Sequence, residues 1–149
     1  MRTVELSDEE NYAILAEQFG EGMSTLGASD QRRVVKRLHT VLDSDSPQYY
    51  VYETVEGCEE LEVIREGDSL RIYCRLVMGI PQNDAHYNVL FVFYVDKHGY
   101  EPGTLSNLDA AATEWLEEIT DFHSVANVDA YLEEHDAKTA AFFADRLDR

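Results

Sequence analysis

Lysine is close to absent from this chain. Three lysines and nine arginines stand against 13 aspartates and 17 glutamates in 149 residues, a formal charge of −18. Such a balance ordinarily argues against a protein held on nucleic acid by bulk charge. The carboxylates are dispersed along the whole sequence, and with so few lysines the surface suits a protein that stays hydrated in concentrated salt. A halophilic source is the expectation; an ordinary acidic protein that avoids anions is the other reading. The distinction bears on function. At 1 M salt the Debye length is about 3 Å, so the argument from net charge loses most of its force. A short-range pocket for phosphate stays admissible.

Cysteine is scarce as well. Cys58 and Cys74 form no CxxC pair, and two cysteines in a chain of this kind are expected reduced and not joined in a structural disulfide. The five histidines (His39, His86, His98, His123, His135) show no ligand spacing, and neither a metal nor a cofactor is expected. No run approaches the roughly 18 apolar residues of a membrane span. The N-terminal Met-Arg-Thr-Val-Glu lacks the shape of a signal peptide, so a cytoplasmic protein away from membranes is expected.

What is present is enough for a core: 44% apolar and 11% aromatic residues, in a length that favours one compact domain, residues 1–149. Thr3–Ser7 reads as a short strand, and Ser7-Asp-Glu-Glu10 has capping-box spacing. Tyr12, Leu15, Ala16, Phe19 and Met23 then make a helical stripe, frayed or ended by Gly20, Gly22 and Gly27. A second helix opens at Ser29 or Asp30, with Val34, Val35, Leu38, Val41 and Leu42 on its apolar face, and stops at Ser44-Asp-Ser-Pro47. From Tyr49 the period is two. Tyr49–Val55 reads as extended, Leu61–Glu66 as a strand, Glu66–Ser69 as a hairpin turn, and Leu70–Val77 as the returning strand. A loop over Gly79–Tyr87 leads to Asn88–Val95, apolar on both faces and therefore a central strand covered on both sides. Ser106 with Asp109 reads as a helix start, followed by a core stripe through Leu108, Trp115 and Ile119. A last helix is expected from about Asn127 to Leu147. The order gives an α+β fold.

Positive charge is rare, so its placement is informative. Arg65, Arg71, Tyr73 and Arg75 share one sheet face if the hairpin pairs as written. Guanidiniums there can donate paired hydrogen bonds to phosphate and stabilise charge growing on a pentacoordinate phosphorus. A tyrosine beside them can stack on a base. The competing reading pairs these arginines with Glu62, Glu66 and Asp68 on a solvated face. Arg32, Arg33, Lys36 and Arg37 lie opposite the apolar stripe of the second helix, as an ordinary exposed face would, with RNA contact as the functional alternative. His86 and His98 read as surface groups, although His98 adjoins Lys97 and lies near Tyr100. Residues 101–149 carry a net charge of −9.

From about Thr3 to Leu105 the chain resembles the RelE/ParE toxin superfamily, particularly its HigB-like branch. The resemblance runs through Thr-Val-Glu-Leu-Ser-Asp-Glu-Glu before a helical pair and Leu61-Glu-Val-Ile-Arg65. It continues with the Gly67-Asp68 turn and Leu70-Arg-Ile-Tyr73, and ends with Val89–Val95 followed by Asp-Lys-His-Gly-Tyr-Glu-Pro102. It implies a small twisted antiparallel sheet packed on an N-terminal helical hairpin, here residues 1–104, with 105–149 as an acidic helical extension. The implied activity is metal-independent, ribosome-associated mRNA cleavage by attack of a ribose 2′-hydroxyl on the adjacent phosphate. By the resemblance, Arg65 and Arg71 stabilise phosphate, Lys97 positions RNA, and His98 or Tyr100 transfers a proton. Tyr73 and Arg75 are RNA-contact candidates from the shared face alone. An antitoxin protein is the implied partner. Other members of the superfamily are not nucleases, so a non-catalytic interaction or regulatory module on the same fold is the second reading. The acidity and the extension depart from the family. The extension either covers the basic face as an antitoxin would, or completes the core through Trp115, Phe142 and Phe143.

Overall fold

The computed structural model describes residues 10–51, 53–81, 84–97 and 102–147, with the side chains of the 102–120 helix described from Leu105 on. The expected strand Thr3–Ser7 and its Ser7 cap lie outside them. Five strands form one sheet in the order β1-β5-β4-β3-β2: β1 (Glu10–Leu15), β2 (Glu53–Thr54), β3 (Glu62–Glu66), β4 (Leu70–Ile80) and β5 (Tyr87–Asp96). Among the described residues five α-helices flank it: α1 (Glu17–Ser24), α2 (Ala28–Leu42), α3 (Pro102–Thr120), α4 (Val125–Glu134) and α5 (Ala140–Leu147). The protein is α+β, as its sequence indicates, and the hairpin and β5 lie where the period-two pattern puts them. No helix among the described residues is long and apolar enough to cross a membrane.

One segment that its spacing assigns to a helix is a strand. Residues 10–15 pair in parallel with β5, from Glu10 opposite Tyr87 to Leu15 opposite Val92, so the sheet is mixed rather than wholly antiparallel. The physical reason is burial on both sides. Ala13 packs into one core layer and Ile14 into the other, and a short doubly buried apolar run carries the same spacing as a helical stripe. Asn11 and Asn88 fix this register. Asn88, 1% exposed, donates to the Asn11 side chain and accepts from the Gly79 N–H. Asn11 in turn donates to the carbonyls of Leu42 and Ser44 at the end of α2. These bonds satisfy buried polar groups that would otherwise destabilise the fold.

The sheet has a helical layer on each face. On one, α1, α2 and α5 cover Ile64, Ile72, Cys74, Leu90 and Val92. Gly22 lets α1 approach β5 closely, since a Cβ there would meet the Val95 carbonyl oxygen at 2.5 Å. On the other, α3 and α4 cover Val63, Val77, Phe91 and Phe93 through Leu108, Ala112, Ile119 and Leu132. Trp115 packs edge-on to Phe91, with ring centroids 5.1 Å apart, and the Tyr87 hydroxyl donates to Asp129 of α4. The last helix is two, not one. Asp136 takes φ +54°, and Lys138 then exchanges backbone hydrogen bonds with Ala13 on the outer edge of β1. Both thiols are free.

Asp109 does not cap a helix start, because α3 already begins at Pro102. Its carboxylate instead accepts the backbone N–H groups of Glu59, Glu60 and Leu61, at 3.1, 2.8 and 2.9 Å. Burial works against the charged form, yet these donors together hold its pKa below the ordinary aspartate value. A depressed folded-state pKa stabilises above the unfolded value and is lost as pH falls through the folded one. We therefore expect Asp109→Ala to cost about 1–2 kcal/mol in urea unfolding at neutral pH. The difference from wild type should close in acid; a constant difference across pH would refute the assignment.

Candidate functional site

The hairpin sets the geometry. Gly67 takes φ +66° in its turn, and β3 and β4 pair with Val63 opposite Tyr73 and Arg65 directly opposite Arg71. Strand alternation turns Arg65, Arg71 and Tyr73 to the α3 face. There they line a cleft of about 150 Å³ whose other wall is Glu53, Thr54 and Glu56. Arg75 shares the face but lies outside the cleft lining. Its guanidinium pairs with Glu60 at 3.0 Å, and its Nε is buried with no partner.

The arginines differ in what they hold. Arg65 forks onto Glu53, with Nε and Nη2 donating at 2.7 and 3.0 Å. That bond, more than the more distant Arg71 charge, keeps the Glu53 carboxyl below the usual glutamate pKa against the opposing effect of burial. Arg71 donates to the Ser69 carbonyl at 3.3 Å, and among the described residues no carboxylate ion-pairs with it. Tyr73 is 1% exposed and stacks on Tyr94 at 6.4 Å. Its ring offers no face to a base, which corrects the stacking role. Its hydroxyl lies 3.5 Å from Asp96.

Several expected groups sit elsewhere. Lys97 is drawn to Asp30 in the first turn of α2, at 3.0 Å, and does not line the cleft. His98 and Tyr100 lie outside the described residues. On α2, Arg33 and Arg37 both grip Glu66, at 3.2 and 2.8 Å, so Glu66 neutralises helix cations rather than the sheet arginines. Glu62 likewise accepts from the Leu76 N–H. Arg32 and Lys36 have no carboxylate partner among the described residues.

Two features escaped the sequence. Glu53 belongs to a two-residue strand within a stretch that reads only as extended, and nothing in that reading marks it as a site residue. Tyr49, 76% exposed, stands in a 3-10 turn. With Arg37, Tyr50, Glu53 and Arg65 it lines a second hollow of about 240 Å³, which shares Glu53 and Arg65 with the arginine cleft. A Tyr-Tyr pair just after Pro47 was its one signal in the sequence. We expect Glu53→Gln, which removes the charge held by Arg65, to raise inorganic phosphate affinity a few-fold by titration calorimetry. Unchanged affinity would show that Glu53 does not compete for the site.

The α3–α4 layer lies on the arginine face, but it covers the sheet with apolar side chains. Asp109 is spent on the backbone of residues 59–61, and the carboxylates identified at Arg65 and Arg75 come from Glu53 and Glu60.

No protein-family model and no curated protein matches the chain. Two solved structures are similar to it. One is a double mutant of the E. coli toxin RelE in its free state, at 17% identity over 69% of this chain and 94% of that one, with a TM-score of 0.42. The other is the archaeal RelE-RelB complex from Pyrococcus horikoshii OT3, at 15% identity over 64% and 100%, with a TM-score of 0.39.

Proposed function

We propose that this is a RelE/HigB-like, toxin-related protein that binds an RNA phosphate between Arg65 and Arg71 and cleaves the strand beside it. One observation carries the reading: Arg71 faces a cleft and, among the described residues, no carboxylate ion-pairs with its guanidinium, in a chain where carboxylates outnumber cations by 30 to 12. In the reaction, a ribose 2′-oxygen bonds to the adjacent phosphorus and the P–O5′ bond breaks. The products are a 2′,3′-cyclic phosphate and a 5′-hydroxyl. Arg71, with Arg65 released from Glu53, neutralises the growing negative charge, and the arginines supply that charge without calling on a metal ion. Glu53 and Glu56 are the carboxylates of the cleft able to accept the 2′-proton, while His98 or Tyr100 remains the proton donor that the resemblance implies. Tyr49, not Tyr73, offers a ring on which a base can stack. Translated mRNA on the ribosome is the substrate and an antitoxin the partner, in the salt-rich cytoplasm of a halophile.

A non-catalytic interaction module is the second reading, favoured by the engagement of Arg65 and Arg75 with Glu53 and Glu60. Induced expression in a halophilic host separates the two. Growth arrest with new RNA 5′ ends inside translated messages supports cleavage. Unimpaired growth with unchanged 5′ ends, at verified expression, rejects it.

A further inference from the structure

A cavity larger than the arginine cleft lies elsewhere in the fold. It measures about 370 Å³ and opens between α1, α2 and α5, within the roughly 300–1,000 Å³ of small-molecule sites. Its walls are apolar, with Phe19 and Met23 from α1, Val35 from α2, and Phe142 from α5, and two cations line it, Arg32 and Arg146. In this chain cations are normally claimed. Arg33, Arg37, Arg65, Arg75, Lys97 and Lys138 all pair with carboxylates. Arg32, Lys36, Arg71 and Arg146 do not, among the described residues, and of these four only Arg32 and Arg146 line this cavity. The Arg146 guanidinium instead lies 3.6 Å over the Phe142 ring, a contact that leaves its N–H edge able to donate. Gln31, also in the lining, is already committed, donating to the Met23 and Leu26 carbonyls at 2.8 and 3.1 Å.

An apolar hollow with two unclaimed guanidiniums complements one chemistry. We infer that this cavity binds a small amphipathic carboxylate, a monoanion with a medium-length aliphatic chain. The head takes the charged hydrogen bonds of Arg32 and Arg146, and the chain lies along Phe19, Met23 and Val35. A phosphate alone leaves the apolar wall wet, and a neutral alkane leaves both guanidiniums unused. The site is on the helical layer opposite the arginine cleft, so it stands whether or not the protein cleaves RNA.

The test uses sodium decanoate below its micelle concentration, titrated into the full chain by calorimetry. The Met23 methyl, labelled with ¹³C, serves as a local reporter. One decanoate per chain should bind and shift the Met23 resonance. Octanoate, two methylenes shorter, should bind roughly tenfold more weakly. Arg32→Gln with Arg146→Gln, both at the cavity rim, should lose tenfold or more while melting as wild type does. Val35→Trp, which fills the hollow, should abolish binding; the rim variant decides the matter if that variant fails to fold. The inference is overturned if wild type does not bind decanoate or the rim variant binds it equally. Uptake of many decanoates per chain, or capture of an acidic apolar peptide in its place, would also overturn it.

Discussion

Arg71→Ala should lower RNA cleavage by about 10²–10³-fold, the usual loss for one donor aimed at developing charge, and leave stability level or slightly higher. The second half of that expectation comes from the sheet. Arg71 stands directly opposite Arg65, and like charges at facing positions destabilise a pair of strands. Glu53 relieves the repulsion mainly from the Arg65 side, its attraction to Arg71 being weaker. Replacing Arg71 with a neutral residue removes the remaining repulsion and one long bond to Ser69. A structural arginine behaves the opposite way, because its loss strands a carboxylate. Arg71→Lys keeps the charge but not the two-pronged donor geometry, so it should fall between wild type and alanine in rate. Single-turnover cleavage of a ribosome-bound message and urea unfolding, on the same three preparations, read both quantities. Equal rates for all three would remove Arg71 from the chemistry, and a stability loss above about 2 kcal/mol would make it structural.

The parts of the fold legible in the sequence were those set by local pattern. The β3–β4 hairpin announces itself by a Gly-Asp turn between alternating runs, and its register follows. The facing of Arg65 and Arg71 was therefore readable, and the apolar stripe of α2 and the doubly covered β5 likewise. What failed was decided at long range. β1 is a strand because β5 lies beside it and apolar layers close over both faces; the same letters in isolation fit a helix. Asp109 looked like a cap because a serine stands three residues before it. Its actual partners are backbone amides some 50 positions away, which no local spacing encodes. At the break between α4 and α5, Lys138 pairs with Ala13 on the edge of β1, another long-range contact. Around the site the same division holds. The cations were visible as types, but their carboxylate partners were not, and those partners separate Arg71 from Arg65, Arg75 and Lys97.

Phe143→Ala should cost about 3–5 kcal/mol, the range for emptying a buried aromatic site, and lower the melting temperature by roughly 6–20 °C for a chain of this size. Phe143 sits on α5, the last helix, yet is only 2% exposed. It shares one core layer with Val34 and Leu38 of α2 and with Ile72 and Leu90 of the sheet. Its neighbour Phe142 supplies the control. That ring is half-buried, lies at the cavity and is flanked by Arg146 and Lys138, so Phe142→Ala should cost clearly less. The comparison asks what the C-terminal extension is. If α3 to α5 complete the core of a single domain, as we propose, Phe143→Ala shifts one cooperative transition in which every probe moves together, with the denaturant slope unchanged. If the extension is a detachable cover, the main transition stays within about 2 °C of wild type, and the loss appears as local opening of α5 in hydrogen exchange. The first outcome means that α5 is part of the cooperative core on the α2 side of the sheet, away from the arginines, and not an appendage to it. The second means that α5 can lift from the α2 side of the sheet on its own, with α3 and α4 still covering the arginine side.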